Sequence, residues 1–126
     1  MKMQMVILVA AGSALGGVLR YLVSLGLAAQ RGFPWATLSV NVVGSFLIGL
    51  LSGLIARHCG GSGESIRLFA VVGFCGGFTT FSTFSNETFR LLEGNQWLSA
   101  AVYVGVSVLA GLAAVFLGYL ISSKAI

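Results

Sequence analysis

Four long apolar runs, joined by short polar connections, make up most of the chain. They cover residues 5–28, 34–56, 68–89 and 97–121. A helix rises ~1.5 Å per residue, so each run is long enough to cross a hydrocarbon layer of roughly 30 Å. The pattern predicts a single all-α membrane domain over residues 1–126, built from four transmembrane helices.

Two other readings of these runs fit less well. A signal peptide has a shorter apolar region than residues 5–28, and here three comparable runs follow. A transmembrane β-barrel needs alternating strands of about 10 residues, and these runs do not alternate. We therefore interpret the first run as a retained membrane helix.

The third run differs from the others because its middle is rich in glycines and hydroxyl groups. Gly73, Gly76 and Gly77 lie within five residues of one another and are followed by two threonines. Glycine weakens a helix, and backbone groups that a break frees inside a bilayer must find partners or line a water-filled cavity. We expect a non-helical break around residues 76–79, with carbonyl groups that suit a cation and N–H groups that suit an anion.

Two aligned phenylalanines follow this break. Phe81 and Phe84 are three residues apart, which places both rings on nearly one helix face, and five hydroxyl residues lie within positions 79–85. Any single hydroxyl in a membrane helix can simply bond back to the preceding turn. Ring edges are positive, however, and together with hydroxyl donors they can hold an anion without the tight binding of a fixed cation. The pattern favours a pathway for a small anion.

Stripes of small or polar residues at four-residue spacing run along two other spans. Such stripes usually allow close helix packing. Asn41 and Tyr103 favour a functional interpretation, because polar side chains inside a bilayer need partners or a cavity. The stripes consist of Asn41, Ser45, Gly49 and Gly53 in the second span, and of Tyr103, Ser107 and Gly111 in the fourth.

Charged residues are few, and two of them lie within the spans. Only 8% of the chain is charged against 57% hydrophobic, the mean hydropathy is +1.00, and the net charge of +4 indicates lipid head groups rather than nucleic acid as the partner. The first span contains only Arg20 and the third only Glu87. An ionisable group at membrane depth is a candidate for gating or proton coupling, although a solvated pair of Glu87 with Arg90 is the simpler alternative.

Positive charge defines the topology only weakly. Four spans place both termini and the second loop on one side of the membrane. The difference in Lys and Arg between the two sides is small enough to permit insertion in both orientations. A single orientation with both termini in the cytoplasm is the alternative. Four helices enclose little interior, so transport favours an oligomer. Lys2, Arg57, Arg67 and Lys124 lie on the side of the termini, and Arg31 and Arg90 on the other, with Arg20 nearer to that second side.

The motif GGFTTFSTFS at residues 76–85, preceded by GFC and followed by Glu87, closely resembles the third-span signature of the Fluc family of fluoride channels. The segments GGVLRY at 16–21 and TLSVNVVGSFLIG at 37–49 are similar to the first- and second-span motifs of that family. The likeness runs in the correct order along the whole chain. Gly111 departs from it, because some relatives carry a further hydroxyl there.

The resemblance implies an antiparallel homodimer in a bacterial-type inner membrane, inserted in both orientations, with two pores through which cytoplasmic fluoride leaves passively. It also implies a broken third helix at the dimer centre, where the backbone carbonyls of Gly76 and Thr79 hold a structural sodium ion. The implied pore and fluoride-binding residues are Asn41, Thr80, Phe81, Ser82, Thr83, Phe84, Tyr103 and Ser107, with Arg20 and Glu87 as vestibule or gating candidates.

Three rival functions remain at this point. A small multidrug-type exporter of organic cations also uses antiparallel dimers, but it needs a carboxylate deep in the first helix, where this chain has Arg20 and no acid. A non-transporting assembly subunit explains the glycine stripes but not the phenylalanine and hydroxyl run. An enzyme is the least favoured, because the single His58 lies in a loop and no nucleophile–base pair or metal cluster is evident.

Overall fold

The computed structural model describes residues 2–27, 32–58 and 63–124. These residues contain no strand, so the all-α class is confirmed. The third span is divided into several helical pieces, whereas the other three spans are single helices. In chain order the elements are α1 (Met3–Gly26), α2 (Trp35–His58), α3 (Gly63–Ile66), a π-helix (Arg67–Cys75), α4 (Gly76–Phe78), α5 (Phe81–Glu93) and α6 (Trp97–Lys124).

Within the described residues, four helical segments are long and apolar enough to cross a membrane, and each overlaps one of the four predicted runs. They are Met3–Gly26, Trp35–His58, Gly63–Glu93 and Trp97–Lys124. Residue 28, the predicted end of the first span, lies outside the described residues. The third segment has a mean hydropathy of 1.4, the lowest of the four, because it carries the polar stretch. The chain is thus an integral, multi-pass membrane protein.

Tight turns fix the directions of the helices. Gly32 has φ +91, a left-handed conformation that favours glycine, and it precedes the start of α2. Between α5 and α6, Asn95 has φ 60, and the N–H of Gln96 donates to the carbonyl of Leu91 at 2.8 Å. This short reversal holds α5 and α6 side by side and antiparallel.

Glycines bring α2 and α6 into backbone contact. A Cβ atom on Gly49 would overlap the carbonyl of Val115, and one on Gly118 would overlap the carbonyl of Phe46. The prediction that the small residues of the second span allow close helix packing is confirmed, and α6 is the helix they face. Any larger side chain at Gly49 must push the two backbones apart.

A second glycine contact joins α1 to the third span. A Cβ on Gly12 would overlap the carbonyl of Phe69, and one on Gly16 would overlap the carbonyl of Phe74. From the other side, a Cβ on Gly77 would lie 2.5 Å from the carbonyl oxygen of Ser13. Glycines that were expected to weaken the third helix therefore also serve as packing surfaces against α1.

The third span leaves helical geometry at two threonines. Thr79 has φ −89 and ψ 161, and Thr80 has φ −153 and ψ 125, both extended. The sequence predicted a break around residues 76–79, but Gly76–Phe78 are helical, so the interruption lies further along the chain. The hydroxyl of Thr79 donates to the carbonyl of Cys75 at 3.0 Å and completes α4. The interruption of the third span therefore lies at the two threonines and not at the glycines.

Candidate functional site

Asn41 on α2 binds the backbone of the interruption. Its Nδ2 donates to the carbonyl of Thr80 at 3.0 Å, and its Oδ1 accepts from the N–H of Thr80 at 2.8 Å. Inside a bilayer these two backbone groups would otherwise lack partners at a cost of several kcal/mol each. Asn41 was predicted as an amide donor to fluoride, and that role stays a prediction; the bond to Thr80 uses one of its two amide hydrogens.

At the interruption, two backbone N–H groups bind side-chain oxygens in place of the carbonyl groups that they would bind in a continuous helix. In a continuous helix the N–H of Thr80 would donate to Gly76, and that of Thr83 to Thr79. Here Thr80 donates to Asn41, and the N–H of Thr83 donates to Oγ1 of Thr80 at 3.2 Å. The carbonyls of Gly76 and Thr79 are thereby released from helical pairing.

These two carbonyls fit a hard cation. Sodium, like other hard cations, is bound by oxygen atoms. In the described part of the chain no group of three or more His, Cys, Asp or Glu side chains is placed to hold a metal. The neighbouring carbonyl of Gly77 is already engaged, because it accepts from Nε of Arg20 at 3.1 Å.

A cavity of about 280 Å³, here called the central cavity, lies beside the interruption. It brings together five predicted pathway residues, namely Asn41, Thr80, Phe81, Phe84 and Ser107, together with Thr79, Ser45, Ile48 and Val108. The rings of Phe81 and Phe84 lie 5.9 Å apart between centroids at an interplanar angle of 44°. None of the described residues that line the cavity is charged.

Ser107 contributes a buried hydroxyl to this cavity. Its Oγ is buried and has no hydrogen-bond partner among the described residues. A buried hydroxyl without a partner is unfavourable, commonly by about 1–3 kcal/mol, so such a group is a candidate for binding a ligand. Ser82, in contrast, is exposed and does not line any of the three cavities identified in the described chain.

Tyr103 lies in the core rather than in the wall of the central cavity. It is fully buried, and its hydroxyl donates to Oε1 of Glu87 at 3.1 Å. Its ring packs on Phe84 at a centroid distance of 5.0 Å and on Phe33 at 5.5 Å. Tyr103 therefore contacts Glu87 and the Phe84 ring, and its predicted place along the fluoride pathway stays a prediction.

A smaller cavity of about 180 Å³, here called the lateral cavity, contains three further predicted residues. Arg20, Thr83 and Glu87 line it with Thr80, which also lines the central cavity. Thr80 thus lines both cavities. The predicted site residues that line a cavity are distributed between the central and the lateral cavity. Ser24, Ala36, Thr37 and Val40 complete the lateral cavity.

Glu87 faces two spaces at once. Besides the lateral cavity it lines a third cavity of about 360 Å³ near the α5–α6 turn, which also contains Phe33, Arg90 and Gln96. The predicted solvated pair with Arg90 is not among the ion pairs of the described chain, where the carboxylate instead accepts from Tyr103. Its position between two cavities fits the vestibule or gating role expected of it.

Sequence reasoning missed several residues that line the central cavity. Ser45 follows Asn41 by one helical turn in the polar stripe of α2, and that spacing was the available signal. Ile48 and Val108 carry no such signal, because apolar residues are ordinary in a membrane helix. Apolar wall positions become visible only when the packing of α2 against α6 is known.

Comparison with known proteins identifies the family. Residues 7–119 match the family described as CrcB-like protein, Camphor Resistance (CrcB). A protein of Nitrobacter winogradskyi named fluoride-specific ion channel FluC is 48% identical over 120 residues, which cover 94% of each chain. Proteins with the same name from Rhizobium meliloti and Agrobacterium fabrum are 49% and 52% identical, over 92% and 88% of this chain and 94% and 90% of theirs.

These matches span nearly the whole chain, including the three motifs on which the resemblance was based. The predicted relationship to fluoride channels is therefore confirmed, and the chain belongs to the CrcB, or Fluc, family.

Proposed function

We propose that this protein is a fluoride-selective ion channel that lets cytoplasmic fluoride leave down its electrochemical gradient. The observation that carries the proposal is the central cavity, in which two phenylalanine rings and the free hydroxyl of Ser107 meet without any charged wall residue among those described. The relatives named fluoride-specific ion channels agree with it.

The chemistry of the cavity suits a small, strongly hydrated anion. Fluoride loses water on entering a narrow path, so the path must supply hydrogen-bond donors in its place. Ser107 and the second amide hydrogen of Asn41 are such donors, and the edges of Phe81 and Phe84 add weaker ones. With no fixed cation to trap it, the anion can leave again, as conduction requires.

The proposed assembly is an antiparallel homodimer in a bacterial-type inner membrane, inserted in both orientations and containing two pores. Its support is the outer face of α5, where Phe81 is 78% exposed and the polar residues Ser82, Ser85 and Asn86 are also exposed. Lipid chains offer these groups no hydrogen bonds, whereas a second copy would cover them. The weak charge bias along the chain agrees with insertion in either direction.

A structural sodium ion is proposed at the centre of this dimer, where the interrupted third spans of two copies would cross. Gly76 and Thr79 would hold it through the carbonyls that Asn41 and Thr80 release from helical pairing. A bound cation would supply positive charge that balances the carbonyl dipoles. If the site exists, replacing sodium with a large organic cation during purification lowers the dimer's melting temperature; an unchanged melting temperature would exclude it.

Reconstitution tests the proposed function. Purified protein is placed in liposomes loaded with fluoride, and release is followed with a fluoride electrode while an ionophore carries the compensating potassium current. We expect rapid release without a proton gradient. Release no faster than from protein-free liposomes would contradict channel function.

A further inference from the structure

We propose that Ser45 on α2 is a second hydroxyl donor to the permeating anion and acts with Ser107 across the central cavity. In this arrangement it supplies the contact that α6 lacks at Gly111. The proposal rests on the fluoride-channel function stated above and names one of the groups that would perform it.

Of the hydroxyl face of α6, only Ser107 lines the central cavity as described. Tyr103, Ser107 and Gly111 share this face at four-residue spacing. The hydroxyl of Tyr103 is engaged with Glu87, and Gly111 has no side chain. Among the three, only Ser107 has a hydroxyl that is free to bind a ligand.

Ser45 reaches the place that a side chain at position 111 would occupy. Its Oγ lies 3.6 Å from the position of a Cβ atom built on Gly111, and no other described heavy atom outside the local backbone of α6 and the two neighbouring residues lies within 4 Å of that position. Ser45 and Ser107 both line the central cavity. The absence of a side chain on α6 therefore opens space next to a hydroxyl that projects from α2.

The other polar groups of the central cavity are partly occupied. Asn41 uses one amide hydrogen and its oxygen to bind the backbone of Thr80. The hydroxyl of Thr79 donates to the carbonyl of Cys75, and the hydroxyl oxygen of Thr80 accepts from the N–H of Thr83. An anion that leaves Ser107 in the direction of Gly111 would meet Ser45 as its next hydroxyl. The simpler alternative for Ser45, a bond back to its own helix, predicts no effect on conduction.

Three variants test the proposal in the liposome assay. Ser45→Ala removes the hydroxyl and should lower fluoride flux about tenfold, the size expected for one hydrogen bond to an ion. Ser45→Ala combined with Gly111→Ser returns a hydroxyl from α6 and should recover most of the flux. The 3.6 Å separation is an ordinary contact, so the structure accommodates this serine. Ser52→Ala, an exposed serine on the same helix, is the matched control and should conduct like the wild type.

The outcomes separate this proposal from the channel function itself. Wild-type conduction with unchanged flux in Ser45→Ala would overturn the role of Ser45 and leave the channel function standing. A loss that Gly111→Ser does not recover would overturn the compensation between α2 and α6. A wild type that releases no fluoride would remove both proposals. If Ser45→Ala does not elute as the wild type does, Ser45→Cys keeps the volume with a weaker donor, and equal flux there would overturn the proposal.

Discussion

Individual polar side chains in this protein have separate tasks, some structural and some facing a ligand. Asn41 and Thr80 pair the backbone of the interruption, Tyr103 holds Glu87, and Ser107 keeps a hydroxyl free beside the central cavity. The family resemblance implied these residues as one set, because a motif shows residue types and their order along the chain. It does not show which hydrogen bonds are already satisfied, and that depends on contacts between helices distant in sequence.

Replacing Asn41 tests the structural task most directly. Asn41→Ala leaves the N–H and carbonyl of Thr80 without their partners, which should lower stability by about 1–3 kcal/mol per group and reduce fluoride flux. Thermal unfolding in detergent and liposome efflux measure the two effects. Thr88→Ala is the control, because its hydroxyl bonds only to the carbonyl of Phe84 in its own helix. Equal stability of both variants would argue against this role of Asn41.

Phe81 tests the role of the aromatic rings. It is 78% exposed in the single chain and, unlike Phe84, does not pack against the buried core, so its replacement should disturb the packing within one chain little. Phe81→Ile should lower fluoride flux at least about tenfold, because it removes ring-edge contacts with the anion. Phe89→Ile changes another exposed ring of α5 and should leave flux unchanged. If both variants conduct as the wild type does, the ring of Phe81 serves packing alone.

At the scale of helices, the lengths of the apolar runs were sufficient to predict four spans. The division of the third span into several helical pieces could not be predicted from the sequence. The pattern of apolar residues does not show that Arg67–Cys75 is a π-helix, because a continuous apolar run gives the same pattern in a π-helix and in an α-helix. The glycines suggested a break at residues 76–79, yet Gly77 packs against α1. The extended residues Thr79 and Thr80 are fixed by side-chain caps and by Asn41, a contact between positions 39 residues apart.

The packing of α2 against α6 gives a prediction about glycine. Gly49→Ala places a methyl group against the carbonyl of Val115 and should destabilise the protein by about 1–3 kcal/mol through overpacking. Gly105→Ala is the matched control on α6, because no described heavy atom outside the local helix backbone and the two neighbouring residues lies within 4 Å of its Cβ position. Alanine there should be neutral or stabilise the helix by up to about 1 kcal/mol. Thermal unfolding measures the stability of both variants. A Gly49→Ala variant as stable as the wild type would contradict the close contact between the backbones of α2 and α6.

For the whole molecule, the proposed dimer predicts which outer face is covered. The chain has a mass of 13.1 kDa, so light scattering in detergent should give twice that value for the protein component. Ser85→Trp places a large ring on the exposed polar face of α5 and should shift the protein toward monomer. Leu109→Trp, at a site 71% exposed on α6, should leave the dimer intact. Dimers of equal stability in both variants would place the interface elsewhere.

Ion selectivity is the central claim at this scale, and one measurement tests it most directly. Liposomes loaded with both fluoride and chloride are reconstituted with the wild-type protein, and the two ions are followed in the same sample with ion-selective electrodes. A narrow path that replaces the water of a small anion by hydroxyl, amide and ring-edge donors should pass fluoride and retain chloride. Fluoride release with chloride held inside is the result that the structure predicts; equal release of both ions would contradict it.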